Sequence, residues 1–445
     1  MCYLICTNID WKAKHHQKMI QVYDRYAKRR GPISTTIKND HDIYCIHYHL
    51  NINGSQQPVE KKDTILLWNG EIYDAKESEY QLIWNAYKTQ QWETLNGEFT
   101  ILVLERSTQL LWIIRDVFGT KPLYFQKRKF GKKEEFLFSS FFHSNSSIYF
   151  SESYLLPSNR VLLFDCQQKI FLSTHYPLIV WNFSQYKTSL DDFHTALETS
   201  VLQKATYNNS QQHELLINLS SGHDSGLLCC ILNKLKINYH TMTIGNKEDQ
   251  TILRQRWKIN QAMTQTSIHI RKYSRLSEML PSFQIHLKVF QENRSIHVDL
   301  HQDQGFQSLL KLYMKLPKNH SIRIILCTNG CDEIFSDYGF QGHTFSIFSN
   351  FGGQFPNDLE SLFLNQWENF YEGLQRLYLM KEEIAGGYFG LECRYPFLDP
   401  AVIQEFLWLH PDIKNRGYKY CIESYLEKNS YPFRPSTKIP FRPLT

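Results

Sequence analysis

Residues 215–225 read Leu215-Leu216-Ile217-Asn218-Leu219-Ser220-Ser221-Gly222-His223-Asp224-Ser225. The apolar run through Ile217 and Leu219 meets small polar residues, and Leu227, Leu228 and Ile231 follow at helical spacing. A buried run, a tight turn and an apolar periodic stretch predict a parallel strand feeding a helix. Such a turn suits an anion. With no bulky side chain at Ser220, Ser221 or Gly222, backbone N–H groups at the helix start can close around phosphate oxygens, and Ser225 adds a hydroxyl. No lysine follows the glycine, so the mononucleotide pattern ending in Gly-Lys-Ser/Thr is excluded. A plain turn capped by Ser and Asp would use the same residue types.

Working outward, further strands are expected at 239–244 and 322–326, the latter leaving through Cys327-Thr328-Asn329-Gly330-Cys331-Asp332-Glu333. Strands alternating with helices predict a doubly wound parallel sheet whose ligands bind beyond the strand carboxyl ends. The main chain around Ile244, at the end of 239–244, is then an adenine contact. Asp224 and Asp332 would come to neighbouring strand ends, where one or two carboxylates plus phosphate oxygens hold Mg²⁺. Residues 190–205 read as an amphipathic helix, and the strand-rich pattern stops around 177–187.

The chain opens Met1-Cys2-Tyr3-Leu4-Ile5-Cys6, a strand-like run. Once Met1 is removed, Cys2 carries a thiol and an α-amine of pKa ~7.7–8.0, which can serve as base for its own side chain. A buried strand cysteine is the plainer reading of that residue. The balance of 49 Lys+Arg against 44 Asp+Glu, a net +5, is too slight and scattered for a nucleic-acid surface. No apolar run approaches a membrane span, and the amino terminus lacks a signal peptide's charged and apolar regions. A cytoplasmic protein without membrane or nucleic-acid partners is expected. None of the ten cysteines forms a paired C-x-x-C pattern, so structural zinc is not expected.

A series of phrases carries a family resemblance: Arg30-Gly31-Pro32, His47-Tyr48-His49-Leu50, Asn69-Gly70-Glu71-Ile72-Tyr73, Leu95-Asn96-Gly97-Glu98-Phe99 and Arg115-Asp116-Val117-Phe118-Gly119-Thr120-Lys121-Pro122-Leu123-Tyr124. In the second half, 220–225 resembles the pyrophosphate loop Ser-Gly-Gly-x-Asp-Ser. The phrase Glu392-Cys393-Arg394-Tyr395-Pro396-Phe397-Leu398-Asp399 resembles Glu-x-Arg-x-Pro-Phe-Leu-Asp. Together they resemble the asparagine synthetase family, a class II glutamine amidotransferase domain joined to an ATP-pyrophosphatase domain.

The resemblance implies an Ntn-hydrolase-like αββα sandwich over 1–186 and the doubly wound domain over 187–445. It assigns catalysis to Cys2, the oxyanion hole to Asn69 and Gly70, and charge neutralisation as pyrophosphate leaves to Lys438. Glutamine would be held by His49, Glu71 and Glu77. ATP and pyrophosphate fall to Ser220, Ser221, Gly222, Asp224, Ser225, Ile244 and Gly330, magnesium to Asp224 and Asp332, and the acceptor to Asn329, Glu333 and Arg394. Arg394 has a structural alternative, pairing with Glu392. The implied reaction is activation of aspartate, or another small carboxylate, as an acyl adenylate, opened by ammonia from glutamine or from solution. A homodimer is an open expectation.

Three departures bear on this. His49 stands where relatives have an arginine that clamps the glutamine carboxylate, and a bidentate guanidinium is not replaced by an imidazole. Glu77-Ser78-Glu79 stands for Asp-x-Glu. Asn329 stands for a glutamate thought to act as a base, and an amide cannot do so. Glu382 or Glu383 is a replacement candidate. Related β-lactam-forming synthetases also lack that glutamate, so lactam formation is one alternative. A nucleotide-binding regulatory homologue without catalysis is the other.

Overall fold

In 97–105 the apolar residues occupy consecutive positions rather than every second one, so both faces of that strand have to be covered. A computed structural model shows how. It describes residues 2–435 apart from 51, 53–56, 74–77, 143–145, 175, 208–212, 245–247, 262–263, 271–283, 290–294, 301–302 and 317–320. The chain divides into two units. The first comprises Met1–Val180, Arg275–Met314 and Met380–Glu392; the second comprises Trp181–Ser274, Lys315–Leu379 and Cys393–Thr445.

The first unit holds two sheets. One runs β17 (Ser295–Asp299), β16 (Gln284–Val289), β10 (Glu152–Leu155), β8 (Tyr124–Phe130), β9 (Lys133–Ser139), β1 (Tyr3–Thr7), β3 (Tyr44–His49), β2 (Ile33–Lys38). The other runs β12 (Ile170–Thr174), β11 (Arg160–Asp165), β7 (Leu110–Arg115), β6 (Gly97–Glu105), β5 (Thr64–Ile72), β4 (Val59–Lys61). Leu4, Cys6 and Cys45 from the first sheet interleave with Ile65, Leu67, Leu102 and Leu104 from the second. The opposite face of β5 and β6, with Trp68, Ile101 and Val103, packs with Ile83 and Trp84 of α2 (Glu79–Thr89). On the outer face of the first sheet, Tyr26 of α1 (Gln17–Arg30) packs against Tyr3 and stacks on Phe141. The layers are therefore αββα, the order that the sequence resemblance implies for this half. Each fully buried Leu, Ile or Phe contributes ~1.5–3 kcal/mol, so the interleaved face holds the sheets together.

The second unit is built on a sheet ordered β15 (Thr264–Ile270), β14 (Tyr239–Ile244), β13 (Glu214–Asn218), β18 (Ile322–Leu326), β21 (Glu392–Arg394). The first four are mutually parallel. Leu215, Leu216 and Ile217 are all buried, as a strand covered on both faces requires. The helix that follows, His223–Lys234, buries Leu227, Leu228 and Ile231. From β13 the chain turns to β14 on one side and later to β18 on the other. The strand order reverses there, and the crevice of such a sheet opens at the carboxyl ends of β13 and β18. Among the described residues, no helix is long and apolar enough to cross a membrane.

Candidate functional site

In the first unit, the register Tyr3↔Tyr48 between β1 and β3 continues to set Cys2 against His49. Residues 2, 4 and 6 share a face with 45, 47 and 49. That face looks into the sandwich, because Leu4, Cys6 and Cys45 are core residues. The Cys2 Sγ lies 3.9 Å from His49 Nδ1. His47 is fully buried, and neither of its ring nitrogens makes a hydrogen bond of standard geometry among the described residues. Burial, the largest influence on the Cys2 thiol, pushes its pKa up, but His47 and then His49 more than reverse this, leaving it well below the ordinary thiol range.

Across the sandwich, Ile65 and Leu67 of β5 face the same core, and alternation aims Asn69 that way. Asn69 is fully buried, and neither its carboxamide oxygen nor its nitrogen has a hydrogen-bond partner among the described residues. Leaving such groups unmatched costs ~1–3 kcal/mol each, so this carboxamide is open to a further polar partner. Gly70 follows at φ +109°, and a Cβ there would lie 1.8 Å from the Glu98 carbonyl oxygen. Only glycine fits.

Glu71 is buried and within hydrogen-bonding reach of Glu79. Glu79 accepts from the Ile72 N–H at 3.0 Å and from Trp68 Nε1 at 3.2 Å. Burial pushes its carboxyl up to about 7. Glu77 lies outside the described residues. The second carboxylate of the Glu-x-Glu phrase is thus the one set beside Glu71, and the phrase itself carried that signal. Glu383 is bound in a buried network with Lys121 Nζ at 3.0 Å and the Arg30 guanidinium at 3.2 Å. Glu382 Oε2 accepts from the Tyr313 hydroxyl at 3.4 Å.

In the second unit, the Ser220–Gly222 turn is ordered by its own hydroxyls. The Ser220 N–H donates to Ser225 Oγ at 3.0 Å, and the Gly222 N–H donates to Ser220 Oγ at 3.1 Å. Arg256, fully buried, donates to the Ser220 and Gly222 carbonyls at 2.7 and 2.8 Å and to the Pro432 carbonyl at 2.9 Å. Gly226 is required beside it, since a Cβ there would fall 2.4 Å from the guanidinium. Glu248 Oε2 accepts from both the N–H and the hydroxyl of Ser221. A carboxylate thus lies on donors of the turn read as an anion cradle.

Asp224, in the first turn after β13, and Asp332, in the first turn after β18, meet at the crevice. The Lys419 ammonium bridges them, 2.7 Å from Asp224 Oδ1 and 2.5 Å from Asp332 Oδ1. Lys419 is buried, with φ +49°. Burial alone would lower its pKa, yet the two carboxylates hold it well above the usual range. Burial raises Asp224 too, but Lys419 outweighs it and the net shift is downward. Asp332 is raised, by burial first and by the neighbouring Asp224 charge. Two carboxylates converging on one cation are the hard oxygen donors that Mg²⁺ shares with phosphate, so these residues fit the ion.

The remaining predicted residues divide. Gly330, at φ +94°, packs on Leu398 and donates its N–H to Glu333 Oε2 at 2.8 Å. Glu333 also accepts from the Tyr338 hydroxyl, and burial followed by the Asp332 charge raises its carboxyl to about 7. Asn329 is half-buried at the same strand exit, and Ile244 ends β14. Arg394, fully buried, donates to the Lys204 and Tyr207 carbonyls at 2.8 and 3.2 Å. Lys438 lies outside the described residues. Lys419 is the lysine that the described structure brings between the aspartates. Its positive φ and its reach to both strand ends had no signal in local sequence.

Residues 45–144 match a family model described as "Glutamine amidotransferase domain". Over 432 residues the chain is 21% identical to a putative glutamine-hydrolyzing asparagine synthetase 1 of Methanocaldococcus jannaschii, covering 88% of this chain and 74% of that one. The chain is similar to members of the asparagine synthetase family. It is also 28% identical over 149 residues to the human asparagine synthetase domain-containing protein 1, covering 29% of this chain and 23% of that one. The match thus spans about a quarter of such relatives. A glutamine phosphoribosylpyrophosphate amidotransferase structure from B. subtilis, complexed with ADP and GMP, aligns at 10% identity and TM-score 0.30, covering 60% of this chain and 81% of that one.

Proposed function

We propose that the chain is an ATP-dependent amide-forming ligase that activates the side-chain carboxylate of aspartate as an acyl adenylate and opens it with ammonia drawn from glutamine. Residues 1–186 would supply the glutaminase and 187–445 the synthetase. The observation that carries the synthetase half is the meeting of Asp224, Asp332 and Lys419 beside the Ser220–Gly222 turn, where the strand order reverses. The α-phosphate and pyrophosphate would lie on the turn's N–H groups. Magnesium, held by Asp224 and Asp332, would offset phosphate charge when bound. The Lys419 ammonium would stabilise negative charge that grows on the departing pyrophosphate in the transition state. Lys438 would act at the same step. In the glutaminase half, the Cys2 thiolate would attack the glutamine amide, with Asn69 and the Gly70 N–H receiving the oxyanion and Glu71 the substrate amine.

The test is pyrophosphate release from Mg-ATP with aspartate, supplied with glutamine, ammonium or no nitrogen source, with the product identified by mass. Asparagine made from glutamine, lost in Cys2→Ala while the ammonium reaction persists, is expected. Absence of aspartate-dependent pyrophosphate would remove the aspartate assignment. Asn329 favours a second reading in which adenylation is kept but the carboxylate is a different one, or the acceptor is an internal amine. A panel of amino-acid and β-amino-acid carboxylates in the same assay separates the two.

A further inference from the structure

We propose that Cys2, His47 and His49 form a binding site for a soft divalent metal ion, Zn²⁺, which holds the thiol unreactive until the metal is removed. Their ligand atoms, one sulfur and two imidazole nitrogens, all lie within 4.8 Å of one another. A tetrahedral zinc with Zn–S of about 2.3 Å and Zn–N of about 2.0–2.1 Å needs its donors roughly 3.3–3.6 Å apart. The Cys2 Sγ to His49 Nδ1 separation of 3.9 Å is already close to that. The remaining closure of about 1 Å lies within the reach of side-chain rotation.

Two observations point to a ligand here rather than to simple packing. His47 is fully buried, and among the described residues neither ring nitrogen makes a hydrogen bond of standard geometry, a costly arrangement unless something else binds them. The alternation of β3 also sets His47 and His49 on one face, opposite Cys2 on its neighbour. Neutral imidazole at position 49 can ligate a metal, so His49 supplies the third ligand. Sulfur and imidazole together select zinc over magnesium or calcium.

On binding, the S–H bond is lost, its proton goes to solvent and the sulfur pair enters a Zn–S bond. No oxidant or reductant is involved. The fourth position takes water or, once Met1 is gone, the Cys2 α-amine, which closes a five-membered chelate. A thiolate so engaged shares its charge with the metal and is screened by it, which lowers its nucleophilicity toward an amide. The metal site stands apart from the glutaminase reading; only its effect on activity rests on that reading.

The experiment uses the full chain stripped with a chelator, checked by circular dichroism and titrated with Co²⁺ as the spectroscopic probe, followed by Zn²⁺ competition. One equivalent is expected to give a thiolate-to-cobalt charge-transfer band that Zn²⁺ abolishes. Cys2→Ala should lose the band. His49→Arg, at a half-buried position, should weaken uptake by more than ~100-fold, beyond the 10–100-fold typical of losing an outer-shell partner. No band in the folded protein, or a band retained by both variants, overturns the proposal. Glutamine hydrolysis is measured in parallel, with and without Zn²⁺. A band without hydrolysis under any condition would remove the glutaminase reading and leave the metal site standing. Hydrolysis insensitive to stoichiometric Zn²⁺ would overturn the switch.

Discussion

Lys419→Met removes the ammonium bridging Asp224 and Asp332 while keeping most of the side chain's apolar length. Breaking a buried ion pair from one side costs ~3–5 kcal/mol, because the abandoned charge stays desolvated. Here two carboxylates are abandoned, but they keep 20% and 29% of their side-chain surface in solvent. The lower figure, ~3 kcal/mol, is therefore expected near pH 7. With a urea slope of ~3 kcal/mol per molar, the unfolding midpoint should fall by roughly 1 M. The pH dependence follows from the sign of each shift. Lys419 has a raised pKa, so its contribution is fully present at neutral pH and fades only above the ordinary lysine range. Asp332 is also raised, so in the variant it protonates first as pH falls and relieves the repulsion. The loss should be largest at pH 7–8 and shrink toward pH 4. Millimolar Mg²⁺ should restore part of the stability at pH 7, as an ion that binds only the folded state must. Chemical denaturation at pH 4.5, 6 and 7.5, with and without Mg²⁺, measures all three effects. A loss independent of pH and untouched by Mg²⁺ would refute the reasoning, since it would reduce Lys419 to a packing residue.

Gly70→Ala, whose Cβ would lie 1.8 Å from the Glu98 carbonyl oxygen at φ +109°, should abolish glutamine-dependent turnover and lower the melting temperature; unchanged hydrolysis would exclude Gly70 from the oxyanion site. Glu79, raised to about 7, favours the folded state fully below its unfolded pKa near 4.3, and that contribution is lost as pH rises through 7. Glu79→Gln should thus narrow its stability deficit by ~3 kcal/mol between pH 4.5 and 8 in urea titrations; a constant deficit would contradict the shift. Glu248→Ala frees the N–H and hydroxyl of Ser221 and should tighten pyrophosphate binding about tenfold by calorimetry, the worth of one charge-assisted hydrogen bond no longer broken. Weaker binding would make Glu248 a ligand rather than a competitor.

The elements whose cause is local were legible. The 215–232 run becomes a strand, turn and helix because a consecutive apolar stretch, a small-residue turn and a helical repeat each have one low-energy solution, and β14 and β18 follow the same logic. The glycine of the Asn69-Gly70 phrase has a local cause too, since Gly70 stands where no other residue fits. What sequence could not carry was closure at long range. Lys419 reaches two aspartates through a left-handed backbone that no composition signals, and Glu248 comes back to Ser221 from beyond β14. Residues 275–314 and 380–392 join the first unit although they fall among second-unit residues in the chain. Glu79, two positions after Glu77 in a phrase that offered two carboxylates, lies beside Glu71.

Arg256 sets an order of events during synthesis. Its guanidinium ties the carbonyls of Ser220 and Gly222 to that of Pro432, so the turn at 220–222 reaches its final form only after residue 432 has been made and docked. At 5–20 residues per second, roughly 10–40 s separate translation of the turn from completion of its clamp. Through that interval a nascent chain presents the loop without its fastener.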